Sequence, residues 1–137
     1  NPVTGLEGKF SLRFTAAMAL LGENTGLIAN FSDDKVQDPE VIAVRDKITV
    51  VPSAEMGLAE AEVVISMLDG SEHRLRMDVE TPETDLDRQW SRLSAKFLDN
   101  ATPVIGAANA KSVVDRVRRL EECRDIGEIV RLCVASS

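Results

Sequence analysis

Two strand-like runs, Glu62–Leu68 and Glu72–Glu80, flank the dipeptide Asp69-Gly70, and no other feature of the 137-residue chain restricts its fold as strongly. Asp-Gly suits the positive-φ positions of a two-residue hairpin turn, which fixes both strand direction and register. The spacing predicts a central antiparallel hairpin over residues 62–80. In its second arm Leu75, Met77 and Val79 alternate with Arg74, Arg76, Asp78 and Glu80, the period-2 pattern of a sheet with one wet and one covered face. Helices are expected to supply the cover.

The flanking segments read as helices. Residues 1–10, with two glycines and a proline, read as a loop that delivers Ser11 as the N-cap of a helix over Leu12–Leu21, ending at Gly22. Gly26–Phe31 reads as a short apolar turn and Ser32–Asp38 as a polar connector. Pro39 opens a second helix over about 39–46. The β-branched run Ile48-Thr49-Val50-Val51, stopped by Pro52, reads as a third strand. Beyond the hairpin, Trp90, Leu93, Phe97 and Leu98 mark a helix fading near Ala101-Thr102-Pro103. Asn109 or Ser112 caps the next, whose stripe is Val113, Val114, Val117 and Leu120. Its wet side pairs Asp115 with Arg119 and Arg118 with Glu122. A last helix covers roughly Ile126–Val134. This order gives one α+β domain over residues 1–137, a small antiparallel sheet of about three strands covered by helices.

Charge and composition narrow the function. Sixteen basic against 23 acidic side chains leave a net charge of −7, which opposes a phosphate backbone, so no nucleic-acid partner is expected. Residues 81–137 balance nine bases with nine acids and read as a salt-bridged surface. Cys123, Cys133 and the single His73 match no zinc spacing, and no metal or cofactor is expected. Both cysteines fall in apolar helical surroundings and read as buried thiols of a reducing, cytoplasmic compartment. No run approaches the roughly 20 apolar residues of a membrane span. The chain opens at Asn1 without an initiator methionine, as expected of a processed chain or an excised domain.

Few residues bear on chemistry. The segment Gly5–Ser11 invites a P-loop reading that fails, because Val3 stands where the first glycine is required and Phe10 follows Lys9. Asp33, Asp34 and Asp38 lack the glycine and terminal glutamate of a calcium loop and read as a solvated connector. His73, between Glu72 and Arg74, reads as an exposed strand residue rather than a general base. Lys9, Ser11 and Arg13 cluster at the start of the Ser11 helix, where free N–H groups favour an anion and the helix dipole disfavours cations. Two readings stay open there. The cations hold a carboxylate or phosphate, or they point to water and pair with Glu7. No complete catalytic constellation is visible, and the catalytic residues stay unassigned.

Four linked segments go further: Gly8-Lys9-Phe10-Ser11-Leu12-Arg13-Phe14, Ala16-Ala17-Met18-Ala19-Leu20-Leu21-Gly22, Phe31-Ser32-Asp33-Asp34, and Val36-Gln37-Asp38-Pro39-Glu40-Val41. In this order they resemble the start of the C-terminal domain of the MmgE/PrpD family, and the Asp69-Gly70 hairpin and Lys96-Phe97 agree. The resemblance is strongest over residues 4–41 and weak after about residue 100.

That family includes 2-methylcitrate dehydratase, cis-aconitate decarboxylase and iminodisuccinate epimerase, which act beside a carboxylate without an iron–sulfur cluster. The resemblance implies a lid domain whose N-terminal helical partner domain, with the main acid/base residues, is absent. The parent would be a lyase (hydro-lyase or decarboxylase) or an epimerase, cofactor-independent and acting on a small polycarboxylate, and the isolated lid would not be catalytic. Lys9 and Ser11 would face the interdomain cleft and hold a substrate carboxylate, with Lys9 stabilising charge, since a lysine near neutral pH is a poor base unless strongly desolvated. The loop Thr81–Leu86 departs from the expected pattern in being poor in glycine and proline, which bears on substrate choice. Such a lid is expected to expose apolar surface, with a homodimer as one consequence. The alternative is a free-standing, non-catalytic module that binds a small anion or a protein.

Overall fold

The computed structural model describes residues 1–135 and divides into two compact units, Asn1–Val50 together with the residues from Asp87 onward, and Val51–Leu86. The class is α+β, as the order of patterns implied.

The first helix of the larger unit, α1 (Gly5–Lys9), stands where a loop was expected. Thr4-Gly5-Leu6-Glu7 is a capping box. The Thr4 hydroxyl accepts from the Glu7 N–H (3.3 Å) while the Glu7 carboxylate accepts from the N–H groups of Thr4 (3.4 Å) and Val3 (2.7 Å). Those bonds outweigh the two glycines that suggested irregular chain.

Ser11 caps α2 (Leu12–Leu20) as expected, and Phe14, Ala17 and Met18, spaced three and four apart, form its buried stripe. Ser32, whose hydroxyl accepts from the Lys35 N–H (3.1 Å), starts a one-turn helix α3 (Asp33–Val36) within the expected connector. Asp38 and Pro39 then open α4 (Pro39–Arg45). Phe14, Ala17, Met18, Val36 and Val41 close one core, against which Leu21, Phe31, Val44 and Ile48 pack.

The same unit holds a second core, of Ile105, Ala110, Val113 and Ile129, with Phe97, Leu98, Ala101, Cys123 and Leu132 around it. Its helices are α5 (Leu86–Ile105), α6 (Ala107–Val117) and α7 (Gly127–Leu132). Helix α5 runs through Pro103 rather than fading before it, and Gly106, at φ 79°, makes the turn into α6. Helix α6 therefore starts ahead of both expected caps. Ser112 instead donates back to the Ala108 carbonyl (2.9 Å).

Two expected ion pairs are replaced: Asp115 pairs with Lys111 (2.8 Å), and Arg118 pairs with Asp87 (3.3 Å) and lies 5.5 Å over the Trp90 ring. Cys133 is exposed rather than buried, while Cys123 is half-buried. Asn100 joins the 26–28 turn to α5, donating to the Gly26 carbonyl (3.0 Å) and accepting from the Ile28 N–H (2.8 Å).

The smaller unit is built on the hairpin of β1 (Glu60–Ser66) and β2 (Glu72–Asp78), with Val63 opposite Leu75 and Ala61 opposite Met77. Its turn has three residues rather than two. Met67 donates to the Ser71 carbonyl (2.8 Å), Gly70 donates to the Met67 carbonyl (3.1 Å), and only Gly70, at φ 85°, takes the left-handed conformation. The sheet has two strands among the described residues. Ile48–Val51 pairs with no strand, and Ile48 spends its side chain on the first core. The burial expected on one face of the second arm is absent: β2 is exposed along its length, Leu75 by 64% and Met77 by 57%.

The capping acid Asp38 contributes to the acid sensitivity of the fold. The Asp38 carboxyl is held below its ordinary value of 3.8, first by the Glu40 N–H (2.9 Å) and then by the Lys35 ammonium (3.2 Å). A lowered folded value means that this stabilisation is present above pH 3.8 and is lost as pH falls through the folded value. Lys35, raised by Glu23 and Asp38, has the opposite sign: its contribution is present below 10.5 and is lost as pH rises through the folded value. Urea unfolding midpoints should therefore drop on the acid side of about pH 4, and Asp38→Asn should flatten that drop. An acid limb of equal depth in wild type and Asp38→Asn would contradict this role.

Candidate functional site

Lys9, Ser11 and Arg13 lie across the junction between α1 and α2, and the structure gives each a different setting. Gly5 and Gly8 share one face of α1, and that face is pressed against the chain beyond it. A Cβ on Gly5 would stand 2.0 Å from the Phe31 carbonyl oxygen, and one on Gly8 would meet the Phe14 ring and a Val36 methyl at 3.0 Å. The Gly5 N–H donates to Asp33 Oδ1 (2.7 Å). This close approach sets Lys9, the last residue of α1, with its Nζ 5.8 Å over the Phe31 ring, and Phe31 in turn packs tilted, at 59°, against Phe14 with 6.3 Å between centroids. Lys9 is exposed, and among the described residues no carboxylate pairs with it. Glu7, the pairing partner weighed from sequence, is instead taken by the capping box.

Ser11 is half-buried, and its hydroxyl oxygen accepts the Phe14 N–H (3.2 Å). That bond occupies a lone pair and leaves the hydroxyl proton able to donate outward. A cation and a hydroxyl donor two residues apart can present both a charge and a directed N–H or O–H to a carboxylate.

Arg13 has its own acceptors. Its guanidinium donates to the Arg45 carbonyl (3.0 Å), to Asp46 (3.3 Å) and to Asn1 (3.4 Å), clamping α2 to the carboxyl end of α4 where a cation is favoured. Its Nε is buried without a partner. Arg45, 6% exposed, donates to the same Asp46 oxygen through Nε (3.0 Å) and Nη2 (2.9 Å). Two arginines thus share one carboxylate. The buried Arg45 was not anticipated from sequence, since nothing in Val44-Arg45-Asp46 distinguishes a buried from a solvated arginine.

The other candidates stay apart from this junction. His73 lies on β2, opposite Ile65, and is exposed. Cys123 donates weakly to the Asp125 carbonyl (3.4 Å) and Cys133 to that of Ile129 (3.5 Å). Among the described residues no group of His, Cys, Asp and Glu is arranged to hold a metal ion, and no helix is long and apolar enough to cross a membrane.

No curated protein and no solved structure matches the chain significantly. The family model for the MmgE/PrpD C-terminal domain matches residues 1–122, which include the α1–α2 junction, both cores in large part and the hairpin. The chain therefore belongs to the MmgE/PrpD family and carries its C-terminal domain.

Proposed function

We propose that this domain serves an enzyme of the 2-methylcitrate dehydratase type, acting beside a carboxylate of a small polycarboxylate, and that Lys9 and Ser11 hold a carboxylate of the substrate. The observation that carries the reading is an exposed ammonium with no ion-pair partner among the described residues, 5.8 Å over the Phe31 ring and two residues before the Ser11 hydroxyl, whose proton is free. Proton abstraction next to a carboxylate builds negative charge on its oxygens, and a positioned cation with an O–H donor lowers the energy of that charge. Arg13 acts as a positioning residue, because its guanidinium already holds α2 on α4. The acid/base pair belongs to an N-terminal helical domain, so the 137-residue chain alone is expected to turn over nothing.

The test starts from the native polypeptide bearing this sequence, sized by immunoblot and assayed with 2-methylcitrate, cis-aconitate and related acids. A polypeptide several-fold larger than 14.9 kDa that is active is the expected result. In that enzyme Lys9→Ala should lower kcat about 100-fold or more, the loss typical of removing one charge-stabilising donor, with partial recovery in Lys9→Arg. Unchanged kcat and KM in Lys9→Ala would remove Lys9 from the site. Turnover by the 137-residue chain itself would refute the dependence on a partner domain. A native polypeptide of 14.9 kDa that binds citrate without turnover would favour a free-standing anion-binding module.

A further inference from the structure

Helices α6 and α7 and the chain between them line a groove of about 580 Å³ that shares no residue with the α1–α2 junction. Its volume suits a small organic molecule, and its wall is charged rather than apolar. The frame is fixed from beneath: Val113 of α6 and Ile129 of α7 are buried in the second core, and Cys123, between the two helices, packs against that core. On the groove side the Arg116 guanidinium pairs with the Glu128 carboxylate and ties one helix to the other. Three of the lining residues, Cys123, Arg124 and Glu128, lie beyond the segment that the family model matches.

The charges of this wall do not all cancel. Glu128 is taken by Arg116, and Asp115 is taken by Lys111 (2.8 Å). The Asp115 carboxyl is held below its ordinary value first by that lysine and only last by the charge of Arg119. Arg119 and Arg124 are both exposed, and among the described residues neither has a carboxylate partner. Arg119 makes only a long bond from Nε to the Asp115 carbonyl (3.5 Å), which leaves its terminal N–H groups to find an acceptor elsewhere. Among the lining carboxylates Glu122 alone lacks an ion-pair partner within the described residues. Two uncommitted guanidiniums therefore face one uncommitted carboxylate.

We propose that this groove binds a small organic molecule with two oxyanion groups, one held by Arg119 and the other by Arg124, with a hydroxyl or ammonium donor of the ligand meeting Glu122. Each guanidinium presents a planar fork of N–H donors that matches a carboxylate or a phosphate in two parallel bonds. A single oxyanion would use one fork and leave most of the groove empty, whereas a two-ended ligand engages both. Because the second core already holds α6, Cys123 and α7 in place, little ordering of the backbone is needed on binding.

Calorimetric titration of the 137-residue chain with fructose 1,6-bisphosphate, citrate and inorganic phosphate tests this and separates the two sources of oxyanion. At about 0.1 M salt, where distant surface charges are screened, one or both of the two-ended probes should bind at least about tenfold more tightly than inorganic phosphate. Arg119→Ala with Arg124→Ala should weaken that binding about tenfold or more. Arg118→Ala should leave it within about twofold, since Arg118 lies outside the groove, on Asp87 and Trp90. Circular dichroism checks that each variant folds. A second readout locates the ligand: at saturation it should slow alkylation of Cys123 by iodoacetamide several-fold, with the exposed Cys133, which does not line the groove, as internal reference. Citrate held only at Lys9 and Ser11 would leave both thiols unchanged, so this result is independent of that site. No saturable binding of either two-ended probe, inorganic phosphate binding as tightly, affinity indifferent to the double substitution in folded protein, or unprotected Cys123 at saturation would each overturn the proposal.

Discussion

Gly5→Ala is expected to destabilise the domain by about 3 kcal/mol or more, read as a lowered urea midpoint at constant slope. The added Cβ would stand 2.0 Å from the Phe31 carbonyl oxygen and 2.6 Å from its carbon, so the obstruction is backbone rather than a side chain that can rotate away. Helix α1 must then lift from the Phe31–Ser32 chain, breaking the Gly5 N–H bond to Asp33. Lys9, at the far end of the same short helix, would lose its place over Phe31. The substitution should therefore affect the proposed site as well as stability, although Gly5 touches no substrate. Gly57→Ala is the control, since its added Cβ meets nothing closer than 3.8 Å and its backbone needs no positive φ. Equal midpoints for the two variants would mean that α1 is not packed as described.

Phe14→Ala should cost about 3–5 kcal/mol, the range for emptying an aromatic site in a packed core. Phe14 is fully buried, belongs to the α2 stripe, and packs tilted against the Phe31 ring. The Phe14 ring also lies where a Gly8 Cβ would meet it at 3.0 Å, so removing it takes away part of the surface on which α1 rests. Phe10→Ala is the matched comparison. Phe10 is 83% exposed, and its loss should stay within about 0.5 kcal/mol. Similar losses at both positions would contradict the assignment of α2's buried face.

Local patterns in the chain were legible where a single rule decided them. Ser11 as N-cap, Pro39 at the first turn of α4 and Asp69-Gly70 between two strands each reflect short-range geometry, and all three stand in the structure. The capping box Thr4–Glu7 is equally local, and its hydrogen bonds outweigh the two glycines that favour irregular chain. Ile48–Val51 shows the opposite case. Its β-branched residues fit a strand, but a strand exists only with a partner to take its N–H and C=O groups, and burying Ile48 in the first core was the stronger demand.

The site divides along the same line. The types and spacing of Lys9, Ser11 and Arg13, and the family they indicate, are properties of the chain and needed no coordinates. Which of them is available for a ligand was a tertiary decision. Arg13 is drawn to the carboxyl end of α4, 32 residues away, and shares Asp46 with a buried Arg45, while Lys9 is left over Phe31 with no carboxylate paired to it among the described residues. Likewise the alternation of the second hairpin arm set which residues share a face, but not whether that face is covered. Register follows from the pleat and the turn, which are local, whereas burial depends on what the rest of the molecule and its partners bring to the surface.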